Sequence, residues 1–69
     1  MKILKYPELA AEMVRKGDTQ RTLAKKLGMS YTAIWRRLSG RVDFTIDEIE
    51  DICELYGKTF EELFRRNTQ

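Results

Sequence analysis

The sequence predicts an all-α fold of five short helices, and three observations support that prediction. Proline or glycine interrupts the chain about every 11 to 17 residues, which is the length of one helix with its connection. Between these interruptions, apolar residues recur at spacings of three and four, as they do on one face of a helix. No segment alternates apolar and polar residues for long, so no strand pattern competes.

The first helix is predicted to begin at Pro7 and to end before Gly17. Proline suits the first helical position because its missing N–H would have no partner there. Leu9, Met13 and Val14 form an apolar stripe at helical spacing, which we expect to face inward.

The second and third helices follow at once. The second is predicted to begin after a Thr19 cap and to end at Gly28, and the third to begin after a Ser30 cap. Ile34 and Leu38 lie four residues apart and therefore share one face of the third helix.

Two capping boxes predict the starts of the fourth and fifth helices. Thr45 with Glu48 forms the first box, and Thr59 with Glu62 forms the second. The fourth helix ends at Gly57. The apolar positions that follow the two boxes at helical spacing are Ile46, Ile49, Ile52, Cys53, Tyr56, Phe60, Leu63 and Phe64.

Length and composition indicate one soluble domain covering residues 1–69. A chain of 69 residues has room for a single hydrophobic core. With 42% hydrophobic and 35% charged residues, it is too apolar for a disordered chain and too interrupted for a membrane span. We therefore expect a globular domain with no membrane partner.

The residue types exclude most catalytic and metal chemistry. With no histidine and one cysteine, the chain cannot form a disulfide framework, a Cys/His zinc site, a Ser/His/Asp triad or a Cys/His dyad. We predict that the protein is not an enzyme and has no cofactor, metal or small-molecule ligand. The first residues lack the apolar run of a signal peptide, which predicts a cytoplasmic, nucleoid-associated protein.

Charge divides the chain into two halves of opposite sign. Residues 1–41 hold ten basic and three acidic residues, and residues 42–69 hold three basic and eight acidic residues. The net charges of +7 and −5 combine to the formal +2. Residues 19–42, here called the basic stretch, contain six basic residues and no acid. Such a stretch is typical of a surface that contacts a polyanion, and a solvated helical face is the alternative.

Residues 19–39 have the pattern of a helix-turn-helix. Two helices that cross at roughly 90–120° need a small side chain at their closest approach, which Ala24 supplies. The turn needs a residue that adopts positive φ, which Gly28 does without steric cost. Met29 would cover the junction, and Ile34 would seal the pair.

These residues resemble the Cro and phage-repressor type of helix-turn-helix regulators, also called the xenobiotic-response-element type. The resemblance runs from about Leu9 to Phe64. Its diagnostic residues are Thr19, Gln20, Leu23, Ala24, Gly28, Ser30, Ile34, Ser39, Gly40, Phe44 and Thr45. The resemblance implies a compact, lambda-repressor-like domain of five helices whose third helix enters the major groove of DNA. One departure is Arg37, where many members have an aliphatic or aromatic residue.

The outward face of the third helix carries the predicted base contacts. At about 100° per residue, Thr32 and Arg36 lie roughly 160° and 200° from the inward Ile34. The N-terminal part of a recognition helix meets base edges, which adds Tyr31, and Ala33 suits a thymine methyl group. Arg36 is the strongest candidate because its fork can donate to guanine O6 and N7 together, and a phosphate contact is the alternative.

Seven residues are predicted to contact the DNA backbone. Gln20 and Ser30 resemble the family's backbone-binding residues at helix N-termini, and capping is the alternative role for both. The other five are candidates because of their position or their charge. Lys26 is a further candidate by charge, outside the seven. The seven are Thr19, Gln20, Arg21, Lys25, Ser30, Arg37 and Arg41.

The resulting hypothesis is a sequence-specific transcriptional repressor, a small Cro-like protein of phage or prophage type. We expect it to bind a palindromic operator in double-stranded DNA as a homodimer, because one recognition helix reads too few base pairs. The segment after Gly57, with Phe60, Phe64 and Arg65, is the expected dimer interface, in preference to Ile3 and Leu4. For the two phenylalanines, core packing is the alternative. The competing hypothesis is a protein-interaction module on the same scaffold, an antitoxin or antirepressor whose acidic residues 42–69 engage a partner.

Overall fold

The computed structural model describes residues 5–65, which form five helices and no strand. The helices are α1 (Pro7–Arg15), α2 (Gln20–Leu27), α3 (Tyr31–Leu38), α4 (Ile46–Tyr56) and α5 (Phe60–Leu63). This architecture confirms the predicted all-α fold. The ends of the predicted domain, residues 1–4 and 66–69, lie outside the described residues. None of the five described helices combines the length and apolarity that a membrane span requires.

Four of the helices begin at the hydroxyl caps that the sequence predicts. The side chains of Thr19, Ser30, Thr45 and Thr59 each accept a hydrogen bond from the backbone N–H three residues on. In α4 and α5 a glutamate completes the predicted capping box. The remaining helix, α1, begins at Pro7 without a side-chain cap. The helix starts are therefore determined by local chemistry.

Within residues 5–65, all five helices contribute to one buried apolar cluster. The inner face of α3 belongs to this cluster, so its outer face is presented to solvent. The twelve buried apolar residues are Tyr6, Leu9, Met13, Leu23, Ala24, Ile34, Leu38, Phe44, Ile52, Tyr56, Leu63 and Phe64.

Three buried aromatic rings close the domain where its connecting segments meet. Tyr6 precedes α1, Phe44 precedes α4 and Phe64 follows α5, and their ring centroids are 5.3 to 5.8 Å apart. Phe60 stacks on Phe64 with a centroid distance of 5.5 Å and remains 53% exposed. Edge-to-face and stacked rings at such distances add to the stabilisation from burial.

Two details of the predicted core are wrong. Val14 is 77% exposed, because it lies about 100° around α1 from the buried Met13 and so leaves the apolar stripe. Ile46, the first residue of α4, is also exposed. Of the candidate dimer contacts, Phe64 is only 5% exposed and packs in the core, and Ile3 and Leu4 lie outside the described residues. Phe60 alone offers an accessible ring.

Candidate nucleic-acid interface

A glycine turn sets α2 against α3, as the helix-turn-helix pattern predicts. Gly28 ends α2 with φ of +69°, in the left-handed region. The backbone N–H of Met29 then donates to the carbonyl oxygen of Ala24 at 2.8 Å. Ala24 is buried, and Ser30 begins α3 by accepting the Ala33 N–H at 3.0 Å. Only one residue, Met29, thus lies between the C-cap of α2 and the N-cap of α3.

The outer face of α3 brings together the four predicted base-contact residues. Thr32 and Arg36 are exposed on the side opposite the buried Ile34. Tyr31 is 47% exposed at the start of the helix, and Ala33 is half-buried beside it. The structure therefore places these residues on one accessible surface, and their contacts with bases stay predictions.

An open groove of about 400 Å³ lies between the N-terminal ends of α2 and α3. Its lining residues are Thr19, Gln20, Arg21 and Tyr31, of which the first three are predicted backbone contacts. Neither helix has an acid in its first turn, and the carboxylate of Asp18, just before α2, is buried and paired with Lys26. Backbone N–H groups and dipoles at such ends favour an anion, which makes this groove a suitable place for a phosphate.

Two of the six basic residues in the basic stretch are held by acids. The Nζ atom of Lys26 lies 2.8 Å from Oδ1 of the buried Asp18. The Nε atom of Arg37 donates to Oε1 of Glu48 at 2.7 Å, which joins α3 to the capping box of α4. This ion pair accounts for an arginine at the position where the sequence departs from the family pattern. A phosphate contact by Arg37 stays a prediction, and it would have to share the guanidinium with Glu48.

The other four basic residues are not paired with acids in residues 5–65. Arg21 and Arg41 each place the guanidinium carbon 5.1 Å from the centroid of an aromatic ring on α3. Lys25 and Arg36 are exposed, and their side chains have no polar or ring contact among the described residues. Arg36, the predicted guanine reader, is therefore available for a ligand.

Asp18 is the main residue that the sequence analysis did not assign. Its side chain is 2% exposed and accepts hydrogen bonds from the hydroxyls of Thr22 and Tyr56, both at 2.7 Å. Together with Lys26 in the last turn of α2, these contacts tie both ends of α2 to the end of α4. Because Asp18 and Tyr56 are 38 residues apart, no local sequence signal indicates their contact.

The electrostatics of this network favour an ionised Asp18 and a neutral Tyr56. Burial opposes the ionisation of Asp18, but hydrogen bonds from Lys26, Thr22 and Tyr56 outweigh burial and hold the pKa of Asp18 below its ordinary value. Burial, followed by the hydrogen bond to Asp18, raises the pKa of Tyr56 above its ordinary value. At neutral pH, Asp18 is therefore an acceptor and Tyr56 a donor.

A protein-family model described as helix-turn-helix, of the Cro/C1 type, matches residues 9–63. The matched region includes α2, α3, α4 and the turns between them, and it begins within α1. Comparison with curated proteins and with solved structures gives no match.

Proposed function

Because this chain belongs to the Cro/C1-type helix-turn-helix family of DNA-binding regulators and has a lambda-repressor-like fold, we propose that it is a small transcriptional repressor. Family membership makes it a regulator that binds double-stranded DNA. The finer proposal is a Cro-like repressor of phage or prophage type. It would bind a palindromic operator as a homodimer and block RNA polymerase there.

The exposed Arg36 is the observation that carries this proposal. It lies on the outer face of α3, opposite the core, and no acid among residues 5–65 neutralises it. An arginine in the major groove can donate two parallel hydrogen bonds to guanine, which distinguishes that base pair from the others. Thr32 lies one helical turn before Arg36 on the same face and would read the neighbouring base pair.

Backbone contacts would supply most of the affinity. The groove at the N-termini of α2 and α3 offers Thr19, Gln20 and Arg21 to a phosphate, with Ser30 close by at the start of α3. Lys25, on α2, adds an unpaired positive charge. Such contacts fix the register of α3 in the groove but carry no sequence information.

A homodimer is proposed because two-fold symmetry doubles the number of base contacts. Two recognition helices that meet successive major-groove faces lie about one helical turn apart, roughly 34 Å. Phe60 is the side chain that we place in the interface, since its exposed ring is supported from behind by Phe64. A small apolar patch of this kind would dimerise weakly in solution and fully on the operator.

Selection from random duplex DNA with purified protein tests the function. We expect a palindromic consensus whose half-sites are separated by about one helical turn. Enrichment of a single asymmetric half-site would retain DNA binding and contradict the dimer. No enrichment at all would favour the protein-interaction module, with the acidic residues 42–69 as its contact surface.

Sedimentation of the protein with a selected duplex tests the dimer and its interface. Two subunits per operator are expected, and Phe60→Ser should weaken the second binding event. Val14→Ser is the matched control, because Val14 is also an exposed apolar residue but lies on α1. If two subunits of the Phe60→Ser variant bound the operator as tightly as the natural protein, the dimer would stand but its interface would lie elsewhere.

A further inference from the structure

Two arginines lie on the two aromatic rings of α3. The guanidinium carbon of Arg21 is 5.1 Å from the centroid of the Tyr31 ring, and that of Arg41 is 5.1 Å from the Trp35 ring. Both distances are within the range of about 6 Å in which a cation is attracted to a ring face. Tyr31 and Trp35 are four residues apart, so their attachment points are separated by about 6 Å along the helix.

We infer that Tyr31 and Trp35 are positioning residues, which hold Arg21 and Arg41 ready to bind phosphates beside the recognition helix. The inference rests on the proposed DNA binding and adds to it a role for two ring side chains. It changes the role expected of Tyr31. Its ring would support an arginine instead of reading a base, and the specificity would then lie with Thr32 and Arg36.

The backbone of Arg41 is fixed independently of its side chain. Gly40 has φ of +85°, and the N–H groups of Arg41 and Val42 both donate to the carbonyl oxygen of Arg36, at 2.9 and 3.2 Å. The chain therefore folds back over the end of α3 and brings Arg41 beside the half-buried Trp35. Backbone and ring together restrict where the Arg41 guanidinium can lie.

Arg21 is held at the opposite end of α3. It belongs to the first turn of α2 and lines the groove between the two helix N-termini with Thr19, Gln20 and Tyr31. A phosphate in this groove would meet the Arg21 guanidinium and the positive ends of two helix dipoles together. The Tyr31 ring also lines this groove, 5.1 Å from the guanidinium carbon of Arg21.

Stacking leaves the arginines able to bind. A guanidinium that lies over a ring keeps its in-plane N–H donors free for a phosphate. A free surface arginine loses rotamer freedom when it binds, and a ring that already restricts it removes part of that loss. Each exposed cation–ring pair corresponds to about a two- to fivefold change in an equilibrium constant.

Double-mutant cycles on DNA affinity test the inference. Tyr31→Leu should weaken binding to the selected operator and to an unrelated duplex alike, by about two- to fivefold. It should have no further effect in the Arg21→Ala background. Tyr31→Phe keeps the ring and should bind like the natural protein. Trp35→Leu with Arg41→Ala forms the second cycle, and Trp35→Phe and Arg41→Lys are its milder variants should Trp35→Leu fail to fold.

Nuclear magnetic resonance of the free protein provides a readout that needs no DNA. Protons of the Arg21 and Arg41 side chains should show upfield ring-current shifts, which disappear in Tyr31→Leu and Trp35→Leu respectively and persist in Tyr31→Phe. Absence of these shifts in the natural protein would overturn the inference.

The outcomes separate the inference from the proposed function. If the natural protein binds DNA but the affinity losses of the ring and arginine variants simply add in the double variants, the inference is wrong and the proposed function stands. A change of base preference in Tyr31→Phe also overturns the inference, because the hydroxyl would then read a base. Natural protein that binds no duplex overturns the proposed function and the inference with it.

Discussion

The α2–α3 half and the α4–α5 half of the domain begin their helices with the same geometry and opposite electrostatics. Thr19 caps α2 and Thr45 caps α4, each within a reciprocal capping box. The third residue of the box is the neutral Thr22 in α2 but Glu48 in α4. The first turns of α4 and α5 each contain two acids, whereas those of α2 and α3 contain none.

This difference shows which helices are stabilised by acids in their own first turns. An acid at a helix N-terminus contributes about 0.3–1 kcal/mol by interacting with the helix dipole. The first turns of α2 and α3 forgo that contribution, and the acid just before α2, Asp18, is buried and paired with Lys26, so no first-turn acid faces the groove between the two helices. The halves remain coupled, because Asp18 bonds to Tyr56 and Arg37 to Glu48.

The largest predicted effect is the dependence of DNA affinity on salt. Four basic residues per subunit in the basic stretch are not paired with acids among residues 5–65: Arg21, Lys25, Arg36 and Arg41. Because Arg36 is assigned to a guanine, the other three would bind phosphates. For a dimer that neutralises about six phosphates, the log–log slope should be about −5, a loss of about 10³-fold between roughly 50 and 200 mM salt.

The same titration tests the division between paired and unpaired cations. If Lys26 and Arg37 left their acids to bind phosphates, about ten contacts per dimer would give a slope near −9. A slope near zero would contradict DNA binding by this face altogether. Fluorescence anisotropy of a labelled operator at several salt concentrations measures the slope directly.

Removal of the buried carboxylate that couples the halves should have the next largest effect. Asp18→Ala leaves the buried Tyr56 hydroxyl without its acceptor and Lys26 without its ion pair, which should lower the free energy of unfolding by about 2–3 kcal/mol. The matched control is Asp43→Ala. Asp43 pairs with Lys5 at 3.3 Å, but its side chain is largely exposed, so a loss within about 0.5 kcal/mol is expected.

The stability contributed by Asp18 and Tyr56 should depend on pH in opposite directions. The pKa of Asp18 is lowered in the fold, so its stabilisation is complete above the unfolded value of about 3.9 and is lost as pH falls through the folded value. The pKa of Tyr56 is raised, so its stabilisation is complete below about 10 and is lost at higher pH. Denaturant midpoints of Asp18→Ala should therefore respond less to acid than those of the natural protein. An unchanged response would show that folding does not lower the pKa of Asp18.

The two halves also end a helix with the same turn, which provides a matched pair of variants. Gly28 ends α2 at φ +69° and Gly57 ends α4 at φ +65°, and a Cβ on either would meet nothing within 4 Å. Gly28→Val and Gly57→Val should each lower the free energy of unfolding by about 1–3 kcal/mol, because a β-branched residue is strained at positive φ. Corrected for the folded fraction, only Gly28→Val should lower DNA affinity. Equal effects on affinity would show that the angle between α2 and α3 is not set at this turn.

Specificity should separate two exposed cations of the basic stretch. Arg36→Ala should lower operator affinity by about 1–3 kcal/mol and relax the preference at one base pair. Lys25→Ala should weaken every duplex to the same extent, as expected for a phosphate contact. Competition with a set of single-base operator variants measures both. If Arg36→Ala weakened all variants equally, Arg36 would be a phosphate contact.

The features that sequence alone predicts in this molecule are those with local causes. The caps at Thr19, Ser30 and Thr45 and the turn at Gly28 depend on residues within three or four positions, and all four are confirmed. The exposure of Arg36 follows from helical periodicity.

The features that escape prediction depend on contacts between distant segments. The sequence shows six similar cations, whereas in the fold Lys26 pairs with Asp18, in the segment between α1 and α2, and the packing of α3 against α4 pairs Arg37 with Glu48. Glu48 is identified as a capping residue from the sequence, but its second partner depends on the angle between the two helices. Periodicity likewise does not tell where an apolar stripe ends, which is why Val14 was expected in the core.

The smallest predicted effect tests the comparison of the helix starts most directly, by exchanging charge between the two halves. Gln20→Glu adds an acid to the first turn of α2 with almost no change in shape and should raise the free energy of unfolding by about 0.3–1 kcal/mol. The same charge faces the groove between α2 and α3, so it should weaken binding to every duplex. Asp47→Asn removes an acid from the first turn of α4 and should lower stability by a similar amount while leaving DNA affinity unchanged. Denaturant titration and anisotropy on both variants would show opposite changes in stability and a loss of affinity in Gln20→Glu only. If Gln20→Glu bound DNA as well as the natural protein does, the neutral first turn of α2 would have no role in binding, and the charge difference between the halves would need another explanation.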